Sequence, residues 1–280
     1  MKERFVMTLT CPLNRDDKDW LIAQVREVAQ TEIMPRFRHL SVDQIASKSA
    51  PDDLVTEADL RSEDCLTGRI SARFPDALVI GEEAVAANPA VLADLAGAEL
   101  AFVLDPVDGT WNFAHGLAVF GVILAVTQFG KPVFGLLYDP VLQDWVEAST
   151  GQGAMFQNRA IPPSKGATPP TGYIPLFLFT KEQQHQLAAT FPEFRRVLSL
   201  RCSCHEYRML AQGHVDFCVS AKLNPWDHLA GALAVQEAGG VARMLDGRDY
   251  DAHISDGVLI CAVDEPTWAD VAARIAFLQS

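Results

Sequence analysis

Leu104-Asp105-Pro106-Val107-Asp108-Gly109-Thr110-Trp111-Asn112-Phe113 sets two carboxylates, a glycine and a hydroxyl directly after the apolar run Ala101-Phe102-Val103-Leu104. The run is short and β-compatible, so Asp105 is expected at the carboxyl end of a strand, where ligands collect in α/β folds, with Pro106 ending the strand. Asp105 and Asp108 can converge on one hard cation, with the Val107 carbonyl between them as a further oxygen donor. Gly109 admits a close anion. A helix opening near Thr110 would aim the N–H groups of Gly109 and Thr110 at a phosphate beside that cation. On composition alone the same residues make an ordinary turn.

Outward from that stretch, the chain of 280 residues has 49% hydrophobic content, ample for a core, and a formal net charge of −13. Like charge argues against nucleic-acid and anionic-membrane surfaces, and no Lys/Arg run appears. An anionic substrate would therefore need local positive charge, which a divalent metal supplies. The start Met1-Lys2-Glu3-Arg4-Phe5-Val6-Met7-Thr8 is too polar for a signal peptide, and no apolar run reaches membrane-spanning length, so a cytoplasmic protein is expected. Six scattered cysteines do not form a disulfide framework. Cys202, Cys204 and His205 hint at soft-metal ligation, but without a second pair at zinc-site spacing they read as buried thiols.

Lys18 to about Met34 reads as an amphipathic helix through Leu21, Val25, Val28 and Ala29, stopped by Pro35. A second helical pattern runs through Leu60, Leu66, Ile70 and Phe74, with Thr56 and Asp59 as its capping box. Leu78-Val79-Ile80 reads as a strand that delivers Gly81-Glu82-Glu83, which puts Glu82 beside Asp105 or, alternatively, in a solvated acidic turn. Val119–Gln128, Val133–Tyr138 and Trp145–Ala148 read as antiparallel strands. The Gly/Pro-rich stretch from Gly151 to Pro170 divides the chain into an α+β half (1–157) and an α/β half (158–280) of one compact unit. The second half contains a strand near Tyr173–Phe179, helices at Lys181–Ala189 and His205–Gln212, strands at Val215–Val219 and Val258–Ala262, and a closing helix at Glu265–Leu278. Asn224 to Gly240 is a further helix, with Asp227 at its start and a small-residue face of Ala230, Gly231, Ala234 and Ala238 suited to close packing.

Together, Gly81-Glu82-Glu83, Asp105 to Phe113, and Trp226-Asp227 with Glu237-Ala238-Gly239-Gly240 resemble the inositol monophosphatase family of lithium-sensitive, magnesium-dependent phosphatases. Lys48 and the Asp53–Asp59 segment fit the same order. The resemblance implies a layered αβαβα sandwich in two packed halves, a homodimer, and hydrolysis of a small phosphomonoester with two or three Mg²⁺ ions. It makes Glu82, Asp105 and the Val107 carbonyl ligands of a first metal, and Asp105, Asp108 and Asp227 ligands of a second. Thr110 would orient the attacking water with Glu82, and Asp59 would polarise Thr110. Substrate contacts would come from Gly109, Thr110, Asp108, Asp227, Ser203 and Ser220. Lys48 lies at a mobile-loop position and Arg201 near the substrate. Two metals can neutralise the phosphate, acidify the water and stabilise the departing oxygen, so no serine or cysteine nucleophile is required.

The sequence departs from the family where substrate is read. Family members acting on inositol phosphate carry an acid seven positions before the Trp-Asp aspartate, and here that position is Ser220. Arg201-Cys202-Ser203-Cys204-His205-Glu206 replaces a glycine-containing segment. Inositol-phosphate-like esters, histidinol phosphate, 3′-phosphoadenosine 5′-phosphate and sugar bisphosphates are therefore all candidate substrates. A regulatory protein that keeps the fold for binding is the alternative from another class.

Overall fold

The computed structural model describes residues 10–41, 44–48 and 54–279, so the Met1–Thr8 and Asp53 readings lie outside the described residues. The elements follow the chain as α1 (Arg15–Val28), a π-helical turn (Ala29–Ile33), a β-ribbon of β1 (Ile45–Ser47) and β2 (Leu54–Thr56), and α2 (Glu57–Arg73). A seven-stranded sheet comes next, built from β3 (Leu78–Gly81), β4 (Ala101–Asp108), β5 (Gly121–Gln128), β6 (Lys131–Asp139), β7 (Asp144–Ser149), β8 (Gly153–Phe156) and β9 (Arg159–Ala160) in chain order. Short helices α3 (Glu82–Ala87) and α4 (Thr110–Ala114) leave the ends of β3 and β4. The remainder forms β10 (Thr171–Tyr173), α5 (Lys181–Thr190), β11 (Arg196–Leu198), α6 (Ser203–Ala211), β12 (Phe217–Ser220), α7 (Pro225–Glu237), β13 (Val241–Met244), β14 (Leu259–Ala262) and α8 (Glu265–Arg274). Its five strands are ordered β11-β10-β12-β14-β13.

Strand side chains alternate between faces, and that alternation sets the layers. On β4, Phe102 and Leu104 join a core with Leu21, Val25, Leu66 and Ile70 of α1 and α2, while Ala101 and Val103 face the opposite core. That central core also takes Tyr207 of α6, Leu229 and Leu233 of α7, and Cys218, Leu259 and Cys261 from the second sheet. The other faces of β12 and β14, Phe217, Val219, Ile260 and Ala262, pack with Leu187 of α5 and Val271 and Ile275 at α8. The order is helices, sheet, helices, sheet, helices, the αβαβα sandwich implied by the resemblance. Small residues allow the middle layer to be thin. A Cβ on Gly231 would lie 2.1 Å from the Tyr207 ring, and one on Gly135 of β6 2.8 Å from the Ala230 carbonyl oxygen.

Several sequence expectations are corrected. Pro106 does not end the strand, because β4 runs on to Asp108 through a bulge in which Asp105 opposes Ile123 and Asp108 opposes Gly121. Three steps on β4 thus match two on β5, and the ladder absorbs the residue that cannot donate. The first helix starts at Arg15 rather than Lys18, because Asn14 and Asp17 form a capping box, and its last turn is π-helical. Leu60 is 53% exposed and is not part of the buried stripe of α2. The strand expected at Tyr173–Phe179 stops at Tyr173, and residues after Pro175 form a 3₁₀ turn. The helix expected from Asn224 is present, with Asn224 as its N-cap and Asp227 in its first turn.

Candidate active site

β3 and β4 are parallel, with Gly81 opposite Leu104, so the two strands end side by side and deliver Glu82 next to Asp105. The bulge brings Asp105 and Asp108 towards the same side, and α7 supplies Asp227. Oxygens of Asp105, Asp108 and Asp227 lie within 4.8 Å of one another, the grouping among the described residues that could hold a metal. All three line a cleft of about 200 Å³ that opens to solvent, together with Glu82, Gly109, Thr110, Arg201, Ser203 and Ser220.

Charge of one sign is concentrated here. Burial, then Glu82, Asp108 and Asp227, push the Asp105 carboxyl well above its ordinary range. Burial, then Asp108 and Glu82, do the same to Asp227, against the opposing pull of Lys222 and Asn224. Asp108 is raised to about 6 by burial, although the Cys202 thiol and backbone N–H groups of Cys204 and Ser203 stabilise its anion. The Cys202 Sγ is 3.0 Å and the Cys204 nitrogen 2.6 Å from Asp108 Oδ2. Converging oxygens with unbalanced negative charge in a buried setting fit a hard divalent cation such as Mg²⁺.

Beside this cluster, Thr110 Oγ1 lies 3.0 Å from both Asp59 Oδ1 and the Val107 carbonyl oxygen. Its one proton goes to one of these acceptors, leaving oxygen lone pairs for a further donor. Asp59 caps α2 with its other oxygen, accepting from Thr56 N at 2.9 Å and Thr56 Oγ1 at 2.5 Å. The capping box and the link to Thr110 are therefore both present on one carboxylate. Burial, opposed by the Thr56 bonds, raises Asp59 to about 6.

Gly109 is the N-cap of α4 with φ +86°, and a Cβ there would lie 2.9 Å from the Val119 carbonyl oxygen. Both the left-handed backbone and the close approach call for glycine. Glu82 stands outside the three-aspartate group, and its Oε1 accepts from Lys48 Nζ at 2.8 Å. Lys48 also reaches Glu83 at 2.6 Å, and these two carboxylates outweigh burial to hold its ammonium above the ordinary range. Ser203 opens α6, while Ser220 Oγ donates to the Lys222 carbonyl at 3.2 Å. The Arg201 guanidinium lies over the Trp111 ring at 4.4 Å.

Some participants had no usable signal in the sequence. Glu63 caps α3, accepting from the backbone nitrogens of Glu83 and Ala84 at 2.8 Å, and it packs where a Cβ on Gly81 would sit. Glu206 lines the cleft and accepts from Leu200 N at 2.7 Å, and burial raises it to about 8. Cys202 and Cys204 are free buried thiols, and the His205 ring is bonded to the Phe120 carbonyl.

The sequence model of the inositol monophosphatase family matches residues 17–276. A curated relative from Thermotoga maritima, a fructose-1,6-bisphosphatase/inositol-1-monophosphatase, is 28% identical over 85% of this chain and 88% of its own length. Nus factor SuhB of Pseudomonas aeruginosa is 30% identical over 77% of this chain and 80% of its own. The solved structure of Thermotoga maritima IMPase superposes with a TM-score of 0.78 at 25% identity, covering 94% of this chain and 98% of that one. A five-layer fold, an aspartate cluster at the strand ends and a match along nearly the whole sequence agree, and the chain belongs to the inositol monophosphatase family.

Proposed function

We propose that the protein hydrolyses a small phosphomonoester in a Mg²⁺-dependent reaction, releasing inorganic phosphate. The observation that carries this reading is the convergence of Asp105, Asp108 and Asp227 within 4.8 Å beside the Thr110–Asp59 pair. Glu82, Asp105 and the Val107 carbonyl would hold one ion, and Asp105, Asp108 and Asp227 another. Bound there, Mg²⁺ supplies the neutralising charge and the acidified water that phosphoryl transfer to water requires.

The chain's own groups do the positioning. Thr110 gives its proton to Asp59 and accepts one from the attacking water, which Glu82 holds from the other side. Lys48 pairs with Glu82 and Glu83, and a cation held by Glu82 would compete with that contact. The N–H groups of Gly109 and Thr110 face the phosphate, and Ser203 and Ser220 lie where the alcohol part would rest. No side-chain nucleophile is required when metal-activated water attacks, and burial, with Asp108 beside it, holds the Cys202 thiol well above its ordinary range. The two halves, divided near residue 157, and a cytoplasmic homodimer belong to the same proposal.

The test is release of phosphate from a panel of monoesters with and without Mg²⁺, including inositol 1-phosphate, histidinol phosphate, 3′-phosphoadenosine 5′-phosphate and fructose 1,6-bisphosphate. Mg²⁺-dependent release from at least one is the expected result. A second reading, a regulatory binding protein on the same fold, is favoured by the likeness to Nus factor SuhB. Absence of release from every ester would select it.

A further inference from the structure

The wall that faces the alcohol part of the ester is built by the second sheet. β10, β11 and β12 are parallel, and their carboxyl ends deliver the loops 174–178, 199–202 and 221–224 to the cleft. These loops bring two cations, Arg201 and Lys222, and no carboxylate. The position from which a carboxylate would accept the hydroxyls of a polyol is Ser220, at the end of β12.

Lys222 is held by its backbone, and its charge acts on Asp227 and His228 without a direct bond. Its carbonyl accepts from Ser220 Oγ at 3.2 Å and from His228 Nε2 at 2.7 Å. With the ring proton on Nε2, His228 Nδ1 accepts from the Tyr207 hydroxyl at 2.9 Å. Burial keeps this ring neutral, pushing it down to about 4. Ser220 and His228 therefore clasp one carbonyl, with Tyr207 holding the histidine ring, and together they fix the loop. The Lys222 side chain is exposed on the cleft, and among the described residues its ammonium makes no ion pair or hydrogen bond.

We propose, on the phosphatase reading above, that Lys222 selects a phosphomonoester whose alcohol part carries a second anionic group, phosphate or carboxylate, over one with a neutral polyol. A second anion near Asp227 meets repulsion from the carboxylate cluster, and an ammonium at the rim offsets it. An exposed ammonium is screened by salt, so the preference falls as ionic strength rises.

The experiment compares kcat/KM for fructose 1,6-bisphosphate against fructose 1-phosphate, and for 2-phosphoglycerate against 2-glycerophosphate, using the full chain with Mg²⁺. The first pair reads a second phosphate and the second pair a carboxylate. In at least one pair the wild type should favour the more anionic member by about tenfold or more, the scale of one hydrogen bond to a charged group. Lys222→Gln should move that ratio towards one, Lys222→Arg should retain it, and added KCl should lower it in the wild type. A wild-type ratio near one in both pairs, or a ratio unmoved by Lys222→Gln, would overturn the proposal while leaving the phosphatase reading intact. Release from none of the four esters would overturn the Lys222 proposal, and absence of release from inositol 1-phosphate, histidinol phosphate and 3′-phosphoadenosine 5′-phosphate as well would overturn both.

Discussion

On the side of the cleft built by the seven-stranded sheet, Glu82, Asp105 and Asp108 stand at the ends of β3 and β4, and burial and mutual repulsion raise both aspartates. On the side built by the five-stranded sheet, the loops after β10, β11 and β12 bring Arg201 and Lys222 and no acid. The first wall has little chemical latitude, because clustered buried carboxylates need a cation or protons. The second touches that cluster through the Cys202 thiol and the Cys204 nitrogen on Asp108, and Ser220 is free of that duty. Departures from the family pattern fall on the second wall, at Ser220 and between Arg201 and Glu206. On the proposed reading, reaction type belongs to one sheet and substrate choice to the other.

The strongest way to break this comparison is Asp105→Asn. Phosphate release should fall below detection, and the rise in thermal midpoint on adding Mg²⁺ should shrink with it, both read on one preparation. Substantial turnover in the variant would remove the acidic wall from the chemistry. Thr110→Ala should follow, with kcat down about 100-fold, the scale of one lost orienting hydrogen bond, and little change in the Mg²⁺ concentration for half-activity. An equal loss in both quantities would make Thr110 part of metal binding instead.

The opposite wall is tested by Ser220→Glu, which adds the missing carboxylate and removes one clasp on the Lys222 loop. The ratio of kcat/KM for inositol 1-phosphate to that for fructose 1,6-bisphosphate should rise about tenfold. No change in the ratio would detach Ser220 from substrate choice.

The smallest expected effect is on stability. Asp59 and Asp108 are raised to about 6, and Glu83 and Glu206 to about 8, with burial the first cause in each case. A carboxyl whose folded pKa lies above its unfolded one binds its proton more tightly when folded. Its contribution is present at low pH and is lost as pH rises through the folded value. His228, pushed down to about 4 by burial, opposes this only near the lower end of the window, where the unfolded imidazole is still partly charged. Between pH 6.5 and 8 the metal-free protein should therefore lose a few degrees of thermal midpoint, and Mg²⁺ should restore more at pH 8 than at 6.5. Scanning calorimetry at two pH values checks the sign, and a metal-free midpoint that rises with pH would contradict it.

Much of the acidic wall was legible from residue types. The Thr56–Asp59 capping box, the apolar run before Asp105 and the Trp-Asp start of α7 are local patterns, and each sits where its pattern placed it to within a turn. The β4 bulge was not legible, because proline reads as a strand stop and nothing local says that β5 will absorb an extra residue. Nor was the hold on Asp108, since Cys202 and Cys204 lie 94 and 96 residues away along the chain. Ser220 could be located by counting back from Asp227. Its bond to the Lys222 carbonyl, though, depends on where His228 lies once α7 has packed.

The distance along the chain between Asp108 and its partners also fixes when the centre can exist during synthesis. A ribosome that has released the seven-stranded sheet has made Glu82, Asp105 and Asp108. The donors that steady Asp108 emerge only with α6, and the third aspartate only with α7. Through that interval the growing chain carries crowded acids without Asp227, so the three-aspartate group is complete only once α7 lies between the sheets. A release of nascent chains truncated before Asp227 would therefore yield a product with an acidic first wall and no assembled centre.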